Sequence, residues 1–111
     1  MFPDYFKQFD AAITVSDAYG NIIWMNDRSM TVNKGDFTGK SLFDCHPEPA
    51  RTKLRNLFVD KNTNAYTIEK GDIKKLIYQS PWYENGNFAG YIELSLEIPF
   101  EMPHYVRKPK T

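Results

Sequence analysis

Asn85-Gly86-Asn87-Phe88-Ala89-Gly90-Tyr91-Ile92-Glu93-Leu94-Ser95-Leu96-Glu97-Ile98 is the stretch that decides the fold. Asn85-Gly86 tolerates the positive φ that a type I′ turn needs at both positions, so it marks a hairpin. Beyond it the pattern has a period of two. Ile92, Leu94, Leu96 and Ile98 point one way, and Tyr91, Glu93, Ser95 and Glu97 point the other. Pro99 and Pro103 then stop the ladder. Upstream, Ile73 to Ser80 reads as the paired strand, and Gly71-Asp72 turns it back onto a third strand, Ala65 to Lys70. The C-terminal half is an antiparallel meander.

The first half carries a second hairpin. Ala12-Ile13-Thr14-Val15-Ser16 alternates as a half-buried strand does, Asp17-Ala18-Tyr19-Gly20 turns, and Asn21 to Met25 returns. Asn26 is placed as a helix cap for Asp27 to Asn33, with Asp27 against the positive end of the dipole. Gly35 and Gly39 break the next stretch, and Lys40 to Cys45 forms one helical turn. From Pro47 to Val59 the spacing of Ala50, Leu54, Leu57 and Phe58 predicts an amphipathic helix. At the N-terminus Phe2, Tyr5, Phe6 and Phe9 fall on one stripe of a short helix, too short to hold itself together in water. The order is helix, two strands, short helices, three strands. It predicts an α+β domain: a five-stranded antiparallel sheet with short helices packed on one face, plus the N-terminal amphipathic helix. Residues 1–10 are that helix, 11–100 the domain, and 101–111 a tail or linker.

With 111 residues the chain suits one domain, and 41% apolar with 25% charged residues is ordinary globular usage. Fourteen basic residues balance fourteen acidic ones, so no cationic face for nucleic acid is expected. Arg107-Lys108-Pro109-Lys110 reads as a solvated basic tail. A single cysteine excludes an intrachain disulfide and suits a reducing compartment. No secretory signal and no apolar run of membrane-spanning length is read, so a soluble, cytoplasmic protein is expected.

The order of elements, with Ala12 to Asp17 and Gly20, Met25-Asn26 opening the helices, Gly39-Lys40-Ser41-Leu42, and closing strands with Gly71, Asn85-Gly86 and Gly90, resembles the PAS domain family over residues 9 to 100. The resemblance implies a sensory and dimerising module without catalysis. In such domains helices and inner sheet face enclose a pocket for haem, flavin or a small organic molecule, while the outer face and flanking helices carry the signal. Asp44-Cys45-His46-Pro47 and Pro81-Trp82-Tyr83 look like a subfamily signature to which no ligand attaches.

Met25, Met30, Cys45, His46, Leu54, Phe58, Tyr66, Tyr78 and Trp82 are the candidate pocket. Either they line a cavity, with the Tyr66 and Tyr78 hydroxyls as anchors, or they meet in a filled core. No cofactor is the leading expectation, with haem and flavin open. His46 is the residue for haem iron, although haem-binding relatives place the histidine inside the helix; as a structural residue it serves the start of the helix instead. The cysteine motif of flavin photochemistry is absent, and non-covalent flavin stays open. Cys45 beside His46 lacks an orienting third group for nucleophilic catalysis, and Cys45, His46 and His104 lack the paired spacing of structural zinc. Phe2, Tyr5, Phe6 and Phe9, with Tyr91 on the outer face, are the candidate dimer interface; docking of the stripe within its own chain is the alternative. A signalling partner protein or a fused output domain completes the expected scheme. Ligand occupancy would repack the segment from Cys45 to Phe58, and the sheet would pass the change to its outer face.

Overall fold

The computed structural model describes residues 4–110. Five strands, β1 (Ala12–Ser16), β2 (Ile22–Met25), β3 (Asn64–Lys70), β4 (Ile73–Glu84) and β5 (Asn87–Ile98), form one antiparallel sheet in the order β2-β1-β5-β4-β3. Helices α1 (Asp27–Asn33) and α2 (Ala50–Asp60) lie on one face. This is the α+β architecture expected.

The β4–β5 turn is as the sequence requires, with Asn85 at φ 53° and Gly86 at φ 80°. β4 runs on through Pro81-Trp82-Tyr83, four residues past the expected end at Ser80. A proline in a strand needs a position where its missing donor is not wanted. β3 reaches only as far as Gln79, so Pro81 pairs with Tyr91 on one side and has no strand on the other. A bulge between Trp82 and Tyr83 leaves Ala89 extra and brings Gly90 against β1. A Cβ at Gly90 would lie 2.0 Å from the Ser16 carbonyl oxygen, and φ there is 145°. Only glycine fits.

Asn26 caps α1 as expected, its Oδ1 accepting from Ser29 N at 2.9 Å, and it does much more. Fully buried, it accepts from Ile13 N at 2.9 Å and donates through Nδ2 to Ala11 O at 2.7 Å and Phe6 O at 3.0 Å. Every hydrogen-bonding site of the amide is used, so one side chain ties the N-terminal segment, β1 and α1 together. Between the helices, Cys45 N bonds Leu42 O at 3.1 Å and His46 N bonds Phe43 O at 3.3 Å, which makes the expected single turn.

The core sits under α2 and the α1–α2 connection. Ile22, Met25, Leu42 and Leu54 are buried there, with Met30, Phe37, Phe43, Leu57 and Phe58 packed around them. Phe58 joins the helix layer to the sheet, its ring centroid 4.7 Å from Tyr91 and 5.1 Å from Phe43. α2 begins at Ala50 rather than Pro47, and Ala50 is exposed. Its buried stripe is Leu54, Leu57 and Phe58.

The N-terminal segment differs from expectation. Phe2 lies outside the described residues. Tyr5 and Phe6 belong to a single 3-10 turn, Asp4–Phe6, not to an amphipathic helix. A helix nucleus orders several residues for one hydrogen bond, and seven or eight residues do not repay that cost. Tyr5, Phe6 and Phe9 are exposed, and Phe6 meets Phe9 edge-on at 6.3 Å. From 102 to 110 the chain has no regular secondary structure. Among the described residues no helix is long and apolar enough to cross a membrane.

Candidate functional site

Two clefts open on the helical face. The larger, about 790 Å³, lies between β1, β2 and the α1–α2 connection. Ile22, Met25, Phe37 and Leu42 give it an apolar wall; Thr14 and Glu93 rise from the sheet, and Asn33, Lys40 and Asp44 stand exposed around its mouth. The second, about 330 Å³, lies under α2 between Leu54, Leu57 and Tyr66. Both volumes fall within or near the range of small-molecule sites. His46 borders both clefts, and one hydrogen bond links them: Gln79, in the smaller, donates through Nε2 to Glu93 Oε2, in the larger, at 2.8 Å.

The sheet register builds that bond. Asn64, Gln79, Glu93, Thr14 and Met25 are cross-strand partners in one row over all five strands, and side chains in such a row share a face. Asn64 Nδ2 donates to Gln79 Oε1 at 3.0 Å, which turns the Gln79 amide nitrogen toward Glu93. Thr14 Oγ1 pairs with Ser29 Oγ at 2.6 Å, and Asn33 Nδ2 donates to Ser29 O at 2.8 Å. The His46 ring is fixed as well. Its Nδ1 lies 2.8 Å from Leu42 O, an oxygen that only accepts, so Nδ1 carries a proton, and in the neutral form of the ring Nε2 is the acceptor. Tyr66 lies over the smaller cleft; partial burial, and after it the Glu93 carboxylate, pushes its phenol above the ordinary value.

The candidate pocket residues divide into three sets. Met25, Cys45 and His46 line the larger cleft; His46, Leu54 and Tyr66 line the smaller. Met30 and Phe58 are packed into the core and line neither. Tyr78 and Trp82 are on the other side of the sheet: Tyr78 pairs with Leu94, and Trp82 lines a groove with Leu94 and Ile92. The strand alternates, and the bulge that follows Trp82 leaves both on the face without helices. The Trp82 indole donates to Ser16 O at 2.9 Å. Cys45 is an exposed free thiol, and among the described residues no hydrogen bond joins it to His46. Nor do any three His, Cys, Asp or Glu side chains among them come together as a metal site would require.

Tyr91 also changes sides. It is 2% exposed, beneath α2, with its hydroxyl between the carbonyls of Leu57 and Asn62. It therefore faces the helices rather than the outer face of the sheet. The outer face is the apolar one: Ile13, Val15, Trp24, Ile92, Leu94 and Trp82 line a groove of about 570 Å³ there, with Phe6 at its edge.

Glu93, Gln79 and Asn33 were not singled out from sequence. The available signal was the parity of β5: Glu93 shares a face with Tyr91, and an aromatic with a partner-seeking hydroxyl belongs against the helix layer.

No family model matches the chain, and no curated protein matches it. Solved structures do. A sensory box sensor histidine kinase from Vibrio cholerae superposes at a TM-score of 0.67 with 13% identity, covering 88% of this chain and 89% of that one. The PAS domain from Bordetella pertussis BvgS gives 0.65 and 13%, covering 86% and 82%. The Vibrio cholerae Aer2 receptor, described as a dual PAS-heme oxygen sensor, gives 0.59 and 14%, covering 80% and 95%. The fold is that of PAS domains.

Proposed function

We propose that this chain is a sensory, signalling module that takes a small molecule in the larger helix-side cleft and associates through its outer sheet face. The observation that carries the reading is the cleft itself: about 790 Å³ between the sheet and the α1–α2 connection, with an apolar wall and polar groups whose orientations are already fixed. The mechanism is a two-state shift. A guest presses on Leu42 to His46, which lead into α2. The Tyr91 hydroxyl holds the last turn of α2 through Leu57 and the chain beyond it through Asn62. Ile92, the next residue of β5, is on the outer face. A shift of α2 therefore reaches the outer groove through one strand. Residues 101–111 then serve as the linker toward a signalling partner or a fused output domain.

The partner for the outer face is a second copy of this chain. The residues lining the groove are all apolar, the sheet carries no helix on that side, and a formal charge of zero sets up no net repulsion between copies.

Native mass spectrometry of the purified chain tests both parts. A dimer mass with a bound small molecule supports the reading. Ligand-free protein whose stability no member of a metabolite library raises removes the receptor part, and a monomer at every concentration removes the second.

One observation favours a haem reading: Nδ1 of His46 is anchored on a carbonyl and Nε2 is left over, the arrangement that orients a ligating imidazole. The fit is otherwise poor, because Glu93 stands on the floor of the cleft and Lys40 and Asp44 at its mouth. Reconstitution with haem followed by absorbance separates the two. A Soret band lost in His46→Ala supports haem; no band in the wild type removes it.

A further inference from the structure

The cleft has a chemical sense, and it rests on the receptor reading just given. Around Glu93 the polar groups are turned so that donors are spent inside the protein and acceptors are left over; the donors that stay open, Lys40 and the Ser41 hydroxyl, belong to the α1–α2 connection. Glu93 receives one hydrogen bond, from Gln79 Nε2 at 2.8 Å on Oε2. Gln79 is 5% exposed and is held in that orientation by Asn64, so it offers Glu93 a neutral donor and nothing more. The ion pairs among the described residues are Lys7–Asp27 and Arg28–Asp10; neither involves Glu93, so among these residues no cation is paired with it. His46 commits Nδ1–H to Leu42 O, which in the neutral form of the ring makes Nε2 an acceptor. Asn33 commits its amide nitrogen to Ser29 and keeps its oxygen. At the mouth, Lys40 and Asp44 are both exposed and of opposite sign, so they set no preference there. Beside the acceptors stand Met25 and Phe37, an apolar wall.

We propose that the larger cleft takes a small organic cation, a primary amine or amidine on an apolar body, with its N–H groups on the Glu93 carboxylate and its body against Met25 and Phe37. A half-buried carboxylate with a neutral donor on one oxygen gains most from a charged donor on the other, because charge-assisted bonds are about twice as strong as neutral ones. An anionic guest meets Glu93 with like charge.

The test is a titration of the isotope-labelled chain, followed by backbone amide NMR, with matched probes of three kinds. One set is 2-phenylethylamine, 2-phenylethanol and 3-phenylpropanoate; a smaller set is butylamine, butanol and butyrate. Expected is that the amines move the resonances of Glu93, His46 and Met25 and bind about tenfold or more tighter than the alcohols, a typical size for one charge-assisted bond. Glu93→Gln, which keeps the shape and the Gln79 contact, should bring the amines down to the alcohols. If alcohols or acids bind the cleft as tightly as amines, the cation preference is overturned and the cleft remains a receptor. If amines bind tightest but Glu93→Gln leaves them unchanged, the assignment of Glu93 is overturned. If no probe of any kind moves the cleft resonances, the receptor reading and this inference fall together. The comparison among probes is made on the wild type, so it stands even where the variant does not fold.

Discussion

The indole nitrogen of Trp82 donates to the backbone carbonyl of Ser16 at 2.9 Å, and the Cα of Gly90, the cross-strand partner of Trp82, lies against that same carbonyl. The Ser16 hydroxyl accepts from Tyr91 N at 3.1 Å. The end of β1, the bulge in β4 and β5, and Trp82 thus form one junction around a single residue. Gly90→Ala places a methyl inside the distance of any real contact and strains a positive φ, so it should cost about 3 kcal/mol or more. Trp82→Phe keeps most of the apolar area and loses the bond, at about 1–2 kcal/mol. Urea unfolding measures both; a Gly90→Ala variant as stable as wild type contradicts the close approach.

Asn26 offers a second test, because its two sides act differently. Asn26→Asp keeps the oxygen that accepts from Ile13 N and Ser29 N and loses the donations to Ala11 O and Phe6 O. Asn26→Ala loses all four. Removing a cap costs about 1 kcal/mol and each stranded buried group about 1–3, so the alanine variant should lose roughly 3–5 kcal/mol in total. The aspartate variant should retain α1 by circular dichroism but free the N-terminal segment, seen as faster amide exchange at Phe9 and Ala11. Equal exchange in wild type and variant would show that Asn26 serves as a cap alone.

These two junctions also show what the sequence could reveal. Asn26 as a cap, the Asn85-Gly86 turn and the α2 stripe were legible because each depends on residues a few positions apart. The five-stranded sheet followed from period and turns in the same way. Which face of β5 meets the helices was not legible from alternation alone. Alternation separates Ile92 and Leu94 from Tyr91 and Glu93, but it assigns neither set to a side. The usual rule, apolar face toward the helix layer, would have misled, because here Glu93 and Gln79 are on the helical side and the aliphatic set is on the other. Tyr78, Trp82 and Tyr91 were misplaced for that one reason. The N-terminal helix failed for a different one: the spacing of its aromatics was right, but spacing does not supply the hydrogen bonds a short helix lacks.

Tyr91 should show its position in a pH titration. Burial first, then the neighbouring Tyr83 and Asp60, pushes its phenol above the ordinary value. A raised pKa means the folded protein holds the proton more tightly than the unfolded chain. The stabilisation is fully present below the unfolded phenol value, about 10, and is lost as pH rises through the folded one. Tyr91→Phe should be less stable near neutral pH by about 1–3 kcal/mol, since the Leu57 and Asn62 carbonyls lose their donor. Above pH 10 (roughly the phenol range) its stability should fall less steeply than that of the wild type. Parallel stability curves for the two proteins would remove the linkage.

The outer face yields the last prediction. Ile92, Leu94, Leu96 and Ile98 are all half-buried on a sheet face that among the described residues carries neither α1 nor α2, and Phe6, Trp24 and Trp82 line a groove there with Ile92 and Leu94. Aliphatic rows left against water are costly, at about 25 cal/mol for each Å² exposed, and in the proposed dimer a second copy would supply the cover. Leu94→Lys puts a charge in the middle of that face without touching the helical side. Phe6→Asp does the same at its edge. Both should shift the chain to monomers in sedimentation or light scattering while leaving the circular dichroism spectrum unchanged. The tests separate the two proposed surfaces, because Glu93→Gln, on the opposite side of β5, should leave the association state as it is. A wild type that is monomeric at high concentration, or a Leu94→Lys variant that still dimerises, would place the contact elsewhere and leave the apolar face without a covering partner.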